Sequence, residues 1–530
     1  MSPARLARPL LLLALLAACA TSAPKPAAPP PTPAAAAPGP AAQAAPAAPA
    51  ADARTTPPLG APKDLVLPPQ RHFTLANGLR VRLVEEHRLP IVQVQLVVDA
   101  GAARDPLDRP GLAGFTAAML TEGTRTRSAT QLSDQLGYLG ASLGGGAGVD
   151  GASLGGGSLS RHLPRLLELF ADALTVPAFR PADVTRVRDQ RLVALLQQRD
   201  QPGWLASRAF TEAFWGKHPY GHQVIGTEAS LQAITPEDLR RFHAQRWRPA
   251  SAELVVVGDV TEEALRPLLE RTLGSWPAGQ AAPAPAAQAP AAPHRTLLID
   301  KPEASQTYLL LGMPGLDRRS PDYAAADVMF QVLGGGASSR LFRSLREAKG
   351  YTYGLSAGAD ARALGGASVV RGSVKADVTG AALTDLLAEL ARLREQPVPA
   401  EELRDAVDGM LGALPADFST VGGIAGRVSE LVIYGLPDDH WNRYADQLRA
   451  VTAADVQRVA QRYLDPSRMT LVLVGTPGVV KPQLASVPLG PLQLLPAPGE
   501  KAAAGKQPAA RPPGKKVKRP APPAPAAGPR

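Results

Sequence analysis

The fold is decided by residues 234–241 (ITPEDLRR) and 254–258 (LVVVG), because the same pattern returns at residues 451–458 (VTAADVQR) and 471–475 (LVLVG). Both copies have a threonine that suits a helix N-cap, and both end in an apolar, valine-rich run that suits a buried strand. The spacing between helix and strand is the same in the two copies. This repeat predicts a duplicated unit, folded as two homologous lobes.

Each lobe is expected to combine helices with a sheet. Asn77 and Gly78 mark a hairpin turn, and apolar residues alternate with others at 79–83 and 92–98, as in half-buried strands. The large apolar residues of 163–174 instead fall on one helical face. The sequence therefore predicts an α+β fold of two homologous lobes, each an antiparallel-rich sheet packed with helices.

Stretches rich in alanine and proline divide the chain. They have too few large apolar side chains to offset the entropy of ordering, so we predict linkers and tails there. The predicted segments are a signal peptide at 1–18, a lipobox cysteine with an Ala/Pro linker at 19–68, an N-terminal lobe at 69–277, a linker at 278–293, a C-terminal lobe at 294–480, and a basic disordered tail at 481–530.

The first residues carry a targeting signal. Arg5 and Arg8 precede a short apolar run, Leu10–Ala18, which is too short to span a membrane. The run leads into Cys19, the only cysteine of the sequence, in a context that resembles the bacterial lipobox. We expect Cys19 to carry the lipid anchor of a bacterial envelope protein, on the outer membrane and facing the periplasm. The alternative is an ordinary cleaved signal peptide with a chance cysteine.

The net charge of +10 is concentrated in the C-terminal tail, where basic residues are frequent and Glu500 is the only acid. Such a tail is expected to be solvated. The alternative is contact with anionic envelope polymers or lipid headgroups. Nothing in the pattern indicates a nucleic-acid partner.

Three stretches resemble the pitrilysin family, which includes insulin-degrading enzyme and the mitochondrial processing peptidases. They are residues 111–124 (GLAGFTAAMLTEGT), 218–221 (HPYG) and 333–342 (LGGGASSRLF). The resemblance covers roughly residues 70–478, and the family's two-lobed architecture agrees with the repeat. The resemblance implies a relative of zinc metallopeptidases of the inverzincin class.

The zinc site of active relatives is missing from this sequence. Their H-x-x-E-H motif supplies two histidine ligands and the glutamate that activates water. The corresponding positions here are Gly114, Ala117 and Ala118, and the third ligand, a glutamate in the family, falls near Ala194. None of these residues can bind a metal or transfer a proton, so we expect no cofactor in this chain. His218 and His222 are read as polar groups packed in a loop.

The second lobe keeps a family motif. In active relatives an arginine and a tyrosine, spaced as Arg346 and Tyr353 are here, reach the zinc site and stabilise the oxyanion of the scissile carbonyl. Arg343 and Tyr351 lie nearest in sequence but do not fit the spacing. The structural alternative is a surface ion pair for Arg346 and a core position for Tyr353.

Two further stretches of the sequence are rich in glycine. The resemblance implies that Gly334, Gly335 and Gly336 lie close to bound peptide, whereas an ordinary helix C-cap and turn would also use glycine. Residues 140–159 replace the family's Asn, Thr and aromatic residues by Gly and Ser. This replacement implies that the first lobe has also lost part of its peptide contacts.

These features predict a pseudoenzyme without catalysis of its own. It would be the non-catalytic subunit of a heteromeric peptidase, whose homologous partner holds the zinc and shares the peptide substrate. Arg346 and Tyr353 would then act in trans. The alternative function is a stand-alone pseudo-peptidase that binds peptides or scaffolds an envelope complex. An active peptidase with an unconventional site is a third, weaker alternative.

Overall fold

The computed structural model describes residues 67–281, 283, 290 and 292–496. They form two six-stranded sheets packed with helices, so the predicted α+β fold of two lobes is confirmed. Cys19 and residues 497–530 lie outside the described residues. Within the described part, no helix is both long and apolar enough to cross a membrane.

The first lobe contains six strands and eight helices among its described residues. The strands are β1 (Gln70–Thr74), β2 (Arg80–Glu85), β3 (Ile91–Val98), β4 (Ser142–Ala147), β5 (Ala152–Leu159) and β6 (Ala252–Gly258). The helices are α1 (Leu112–Met119), α2 (Ala129–Leu139), α3 (Leu163–Thr175), α4 (Pro181–Gln198), α5 (Pro202–Trp215), α6 (Glu228–Ala233), α7 (Pro236–Arg246) and α8 (Glu262–Leu273).

The second lobe repeats this order of elements. Its strands are β7 (Arg295–Asp300), β8 (Gln306–Gly315), β9 (Thr352–Arg362), β10 (Gly365–Lys375), β11 (Thr470–Gly475) and β12 (Leu492–Leu495). Its helices are α9 (Tyr323–Gly334), a π-helix (Phe342–Ala348), α10 (Thr379–Glu395), α11 (Ala400–Ala413), α12 (Val421–Tyr434), α13 (His440–Ala450), α14 (Ala453–Tyr463) and α15 (Pro477–Gln483).

The two sheets share one topology. The strand orders are β1-β2-β6-β3-β5-β4 and β12-β7-β11-β8-β10-β9, so that β6 and β11 occupy equivalent central places. Most pairs are antiparallel, while β2–β6 and β7–β11 are parallel. The outer strands differ, because β1 runs antiparallel to β2 whereas β12 runs parallel to β7.

The repeated segments fold as the sequence predicts. Thr235 and Thr452 cap α7 and α14, and each threonine oxygen accepts a hydrogen bond from the backbone N–H of the aspartate three residues later, at 3.2 Å in both helices. The aspartate carboxylates accept from the threonine N–H groups in return. Strands β6 and β11 are buried along their whole length.

The second lobe extends past residue 480, where the sequence analysis placed the start of the tail. Val480, Leu484 and Val487 are buried, and β12 pairs with β7 through the backbone. The correction has a physical reason. Strand β12 is only four residues long and its side chains are mostly exposed, so its pairing depends on backbone hydrogen bonds and not on a buried face that a sequence pattern would mark.

The lobes exchange one helix each. Helix α5, from the first half of the chain, packs on β8 and β11 of the second sheet, and α12 packs on β3 and β6 of the first sheet. Phe210 of α5 lies so close to β8 that a Cβ added at Gly312 would be 2.2 Å from its ring. Each sheet is therefore covered on one face by a helix of the other half.

Candidate functional site

Helices α1 and α4 carry the positions that the family resemblance matches with the zinc ligands and the water-activating glutamate of active relatives. Gly114 and Ala117 are buried on α1, Ala118 is partly buried there, and Ala194 is partly buried on α4. The N-terminus of α1 is capped by Asp105, whose carboxylate accepts hydrogen bonds from the N–H groups of Gly111 and Ala113, both at 2.7 Å. The helical framework of the site is thus intact.

A guanidinium occupies the space beside Gly114. Arg191, one turn before Ala194 on α4, places Nη1 3.3 Å from the carbonyl oxygen of Gly114, and its guanidinium lies over the ring of Phe115 at 5.5 Å. A Cβ added at position 114 would be 3.0 Å from Arg191 Nη2 and 2.9 Å from the backbone oxygen of Val224. A histidine could not enter here without displacing both groups.

Asp105, Arg191 and His222 form a buried charged cluster beside α1. His222 Nδ1 is 3.9 Å from the Asp105 carboxylate, whose side chain is fully buried. Burial raises the pKa of Asp105 to about 7, although the two backbone N–H donors and Arg191 oppose this. Burial also lowers the pKa of His222 and of Arg191. Burial thus shifts the pKa of each of these three groups toward its neutral form at the start of α1.

These residues do not fit a zinc ion. Gly114, Ala117, Ala118 and Ala194 offer no donor atoms, and a cationic side chain lies against the first of these positions. Within residues 67–281 and 292–496, no group of three or more His, Cys, Asp or Glu side chains could hold a metal. We therefore derive no metal-dependent step for this chain.

The glycines of β4 have different surroundings. A Cβ added at Gly145 would be 2.1 Å from the carbonyl oxygen of Ala117, because the backbone of α1 lies directly on this strand. Added Cβ atoms at Gly144 and Gly146 would meet open space. Close helix-strand packing thus explains one of the three glycines, and nothing in the structure explains the other two.

Arg346 and Tyr353 are brought together in the second lobe. The Arg346 guanidinium lies over the rings of both Phe342 and Tyr353, at 4.6 Å and 4.3 Å from their centroids. Tyr353 is 82% exposed, which excludes the core position that was its structural alternative. No carboxylate of the described residues forms an ion pair with Arg346, so the surface ion pair that was its structural alternative is not found there. The pair forms a small surface platform at the start of β9.

The segment that carries Arg346 is not an ordinary α-helix. Leu341 and Leu345 are buried, and Ser339 donates a hydrogen bond from Oγ to the carbonyl of Gly336 at 2.6 Å. Residues 342–348, however, adopt π-helical geometry, and Phe342 is only partly buried. No feature of the sequence marks this winding.

The three glycines before this segment have distinct environments. Gly334 is buried, and a Cβ there would be 2.6 Å from the backbone nitrogen of Ala357 in β9. Gly335 caps α9, and its N–H bonds to the carbonyl of Gln331. Gly336 is exposed and faces open space. Packing and capping thus account for two of them, while no contact accounts for Gly336.

Several residues of interest were not singled out by the sequence reasoning. Arg191 interrupts the buried side of α4, and that position was its only signal. Asp105 and Asp150 carry no pattern of their own, and Tyr220 was noted only as part of the family-like stretch 218–221. His218 and His222 lie in a buried loop as predicted, where His218 Nδ1 accepts a hydrogen bond from the backbone N–H of Tyr220 at 3.1 Å.

Comparison with known proteins supplies the family. Residues 80–228 match the family model described as insulinase, peptidase family M16, and residues 233–410 match the model described as peptidase M16 inactive domain. A Mycobacterium tuberculosis protein named as an uncharacterized zinc protease is 30% identical over 304 residues, 56% of this chain and 68% of that protein.

Two further relatives carry names that do not claim activity. A Helicobacter pylori protein named as a non-peptidase homolog is 22% identical over 393 residues, 74% of this chain and 90% of that protein. The crystal structure of a peptidase M16 inactive domain from Pseudomonas fluorescens has a TM-score of 0.72 and 29% identity, and covers 77% of this chain and 98% of that chain.

The fold and the altered site together define a peptidase-like protein whose described residues contain no metal-binding group. The chain belongs to the M16 peptidase family, as a homologue of its inactive domains. The resemblance to the pitrilysin family is thereby confirmed.

Proposed function

We propose that this chain is the non-catalytic subunit of a heteromeric M16 peptidase. The observation that carries the proposal is the contrast between its two lobes. The first lobe has Gly114 and Arg191 in contact where active relatives bind zinc. The second lobe presents Arg346 and Tyr353 together on the surface. A partner with an intact H-x-x-E-H motif would supply the zinc and the activated water.

The chemistry assigned to the platform is stabilisation of negative charge. The guanidinium of Arg346 and the hydroxyl of Tyr353 are hydrogen-bond donors suited to the oxyanion that forms on a scissile carbonyl. The contacts of the guanidinium with the rings of Phe342 and Tyr353 restrain its position, so that little reorganisation is needed when the peptide arrives.

The peptide would bind in an extended conformation. Strands β4 and β9 are the outer strands of their sheets and lie on corresponding edges. An open strand edge can accept a peptide as an added strand through main-chain hydrogen bonds. Gly354, next to Tyr353 in β9, adds no side chain that would hinder such an approach.

The decisive test is reconstitution with a zinc-bearing homologue. Arg346→Ala should lower kcat/KM of the complex about 10²-fold or more, because one oxyanion donor is lost. Tyr353→Phe should also lower kcat/KM, while the zinc content of the complex stays unchanged. Arg343→Ala is the matched control, since Arg343 is an exposed arginine of the same segment whose guanidinium donates to the carbonyl of Ser338. Equal rates for Arg346→Ala and wild type would refute the assignment.

The second candidate is a stand-alone peptide-binding or scaffold protein. The observation that favours it is the presence of two open strand edges in a lobe pair whose described residues contain no metal-binding group. This function requires the chain alone to bind extended peptides without cleaving them. If zinc and activity never appear with any homologue, and peptide binding persists, the second candidate replaces the first.

The place of action is proposed to be the bacterial envelope. The basis is the lipobox-like context of Cys19 in the sequence. Several acyl chains would anchor such a protein stably, because each buried CH₂ contributes about 0.8 kcal/mol. Mass spectrometry of the mature chain should find acyl chains on Cys19. A Cys19→Ser variant should be released from the outer membrane, and recovery of the unmodified wild type in the soluble fraction would contradict the anchor.

A further inference from the structure

The two lobes are joined at a point where two strand-connecting turns meet. The first turn, residues 148–151, links β4 to β5, and the second, Ala363 and Leu364, links β9 to β10. The loop that contains Tyr220 lies between them. The turns therefore bring together the ends of both outer strands, β4 and β9.

Tyr220 makes the central contacts of this junction. Its hydroxyl donates to the carboxylate of Asp150 and accepts from the backbone N–H of Leu364 at 2.8 Å. Its ring is 1% exposed and packs edge-on against Trp215 at 5.1 Å. The hydroxyl thus uses its donor on the first lobe and an acceptor position on the second.

Asp150 completes the contact with its second carboxylate oxygen. Oδ2 accepts the backbone N–H of Ala363 at 3.2 Å. Two adjacent N–H groups of the second-lobe turn are therefore held by a carboxylate and a phenol of the first lobe. Burial and the neighbouring Asp150 raise the pKa of the Tyr220 hydroxyl, which favours its protonated, donating form.

Arg362 closes the junction from the second lobe. It forms two hydrogen bonds with Asp360, at 2.9 Å and 2.6 Å, and its guanidinium lies over the rings of Tyr220 and Trp215 at 4.9 Å and 5.7 Å. The Arg362 guanidinium therefore covers one face of the Tyr220 ring, whose hydroxyl bonds to the β9–β10 turn. This packing restrains the rotation of Tyr220.

We infer that Asp150 and Tyr220 are positioning residues that clamp the β9–β10 turn to the first lobe and so fix strand β9, which carries Tyr353 at its other end. Strand β9 spans about 35 Å, so anchoring its far end restrains its direction relative to β4. The consequence for peptide binding rests on the proposed function. The clamp itself does not, because it concerns contacts within one chain.

Amide hydrogen exchange in the full chain tests the clamp without a partner. Tyr220→Phe removes only the hydroxyl and keeps the packed ring. Exchange at Leu364 and Ala363 should become about tenfold faster, with faster exchange extending along β9. Asp150→Ala should have a similar effect, and the double variant should add little to either. Tyr138→Phe is the matched control, since Tyr138 is 92% exposed. Unchanged exchange at 363–364, or an effect that stops at the turn, would overturn the inference.

The reconstituted complex separates the clamp from the proposed function. With an active partner, Tyr220→Phe should lower kcat several-fold while the zinc content and Tm change little. A loss confined to Tm would indicate a merely structural role and would overturn the positioning. If Arg346→Ala has no effect but the exchange result holds, the oxyanion role fails and the clamp stands.

Discussion

Asp105 is the residue whose protonation most directly affects the start of α1. Its buried carboxyl has a pKa of about 7, well above the usual 3.8, because burial disfavours the charged form. The folded chain therefore binds this proton more tightly than the unfolded chain. The contribution to stability is full below about pH 4, falls as pH rises towards 7, and is lost above 7.

Replacing Asp105 should remove this dependence. For a single group of this kind the slope is at most about 1.4 kcal/mol per pH unit. Between pH 5 and pH 7, the free energy of unfolding measured with urea should fall by about 2 kcal/mol more for wild type than for Asp105→Asn. Asp108→Asn serves as control, because the Asp108 side chain is 72% exposed. Parallel pH profiles for wild type and Asp105→Asn would contradict the buried-acid interpretation.

At the scale of single elements, the packing of α1 on β4 depends on Gly145. Gly145→Ala should destabilise the protein by about 1–3 kcal/mol, because the new methyl group would meet the backbone of Ala117 rather than a movable side chain. Gly144→Ala, in the same strand but facing open space, should be nearly neutral. Chemical unfolding of the two variants checks this. Equal losses would show that the strand responds to glycine replacement in general rather than to this contact.

The sequence predicted the elements that follow local rules. Threonine caps, the buried β6 and β11, and the apolar face of α3 all follow from short-range patterns, and each is present. The proximity of Arg346 and Tyr353 was predicted from the arginine–tyrosine spacing that the family resemblance implies. The π-helical winding, the position of Arg191 and the strand β12 could not be predicted, because each depends on neighbours that are distant in sequence or on backbone pairing alone.

At the scale of the whole molecule, the exchange of α5 and α12 makes each lobe depend on the other. Four large buried residues of α12, Val421, Ile424, Val428 and Leu431, contribute about 6–12 kcal/mol by burial. A domain of this size is stable by only about 5–15 kcal/mol, so losing one exchanged helix removes a comparable amount.

Separated halves should therefore not fold alone. Residues 1–281 and 290–530, expressed separately, should lack a cooperative thermal transition, whereas co-expression should restore one complex with a single transition. Calorimetry of the halves and of their mixture measures this. Independent cooperative unfolding of either half would show that the exchanged helix is dispensable.

The outer strand β4 has one more consequence, for the behaviour of the protein in bulk. Its six residues, Ser-Leu-Gly-Gly-Gly-Ala, include no charge and no proline, the features that usually prevent strand edges from joining. Copies at high concentration would therefore be prone to edge-to-edge aggregation through this strand. Gly144→Lys, at a position where the structure leaves open space, should raise the solubility of the protein without disturbing the core.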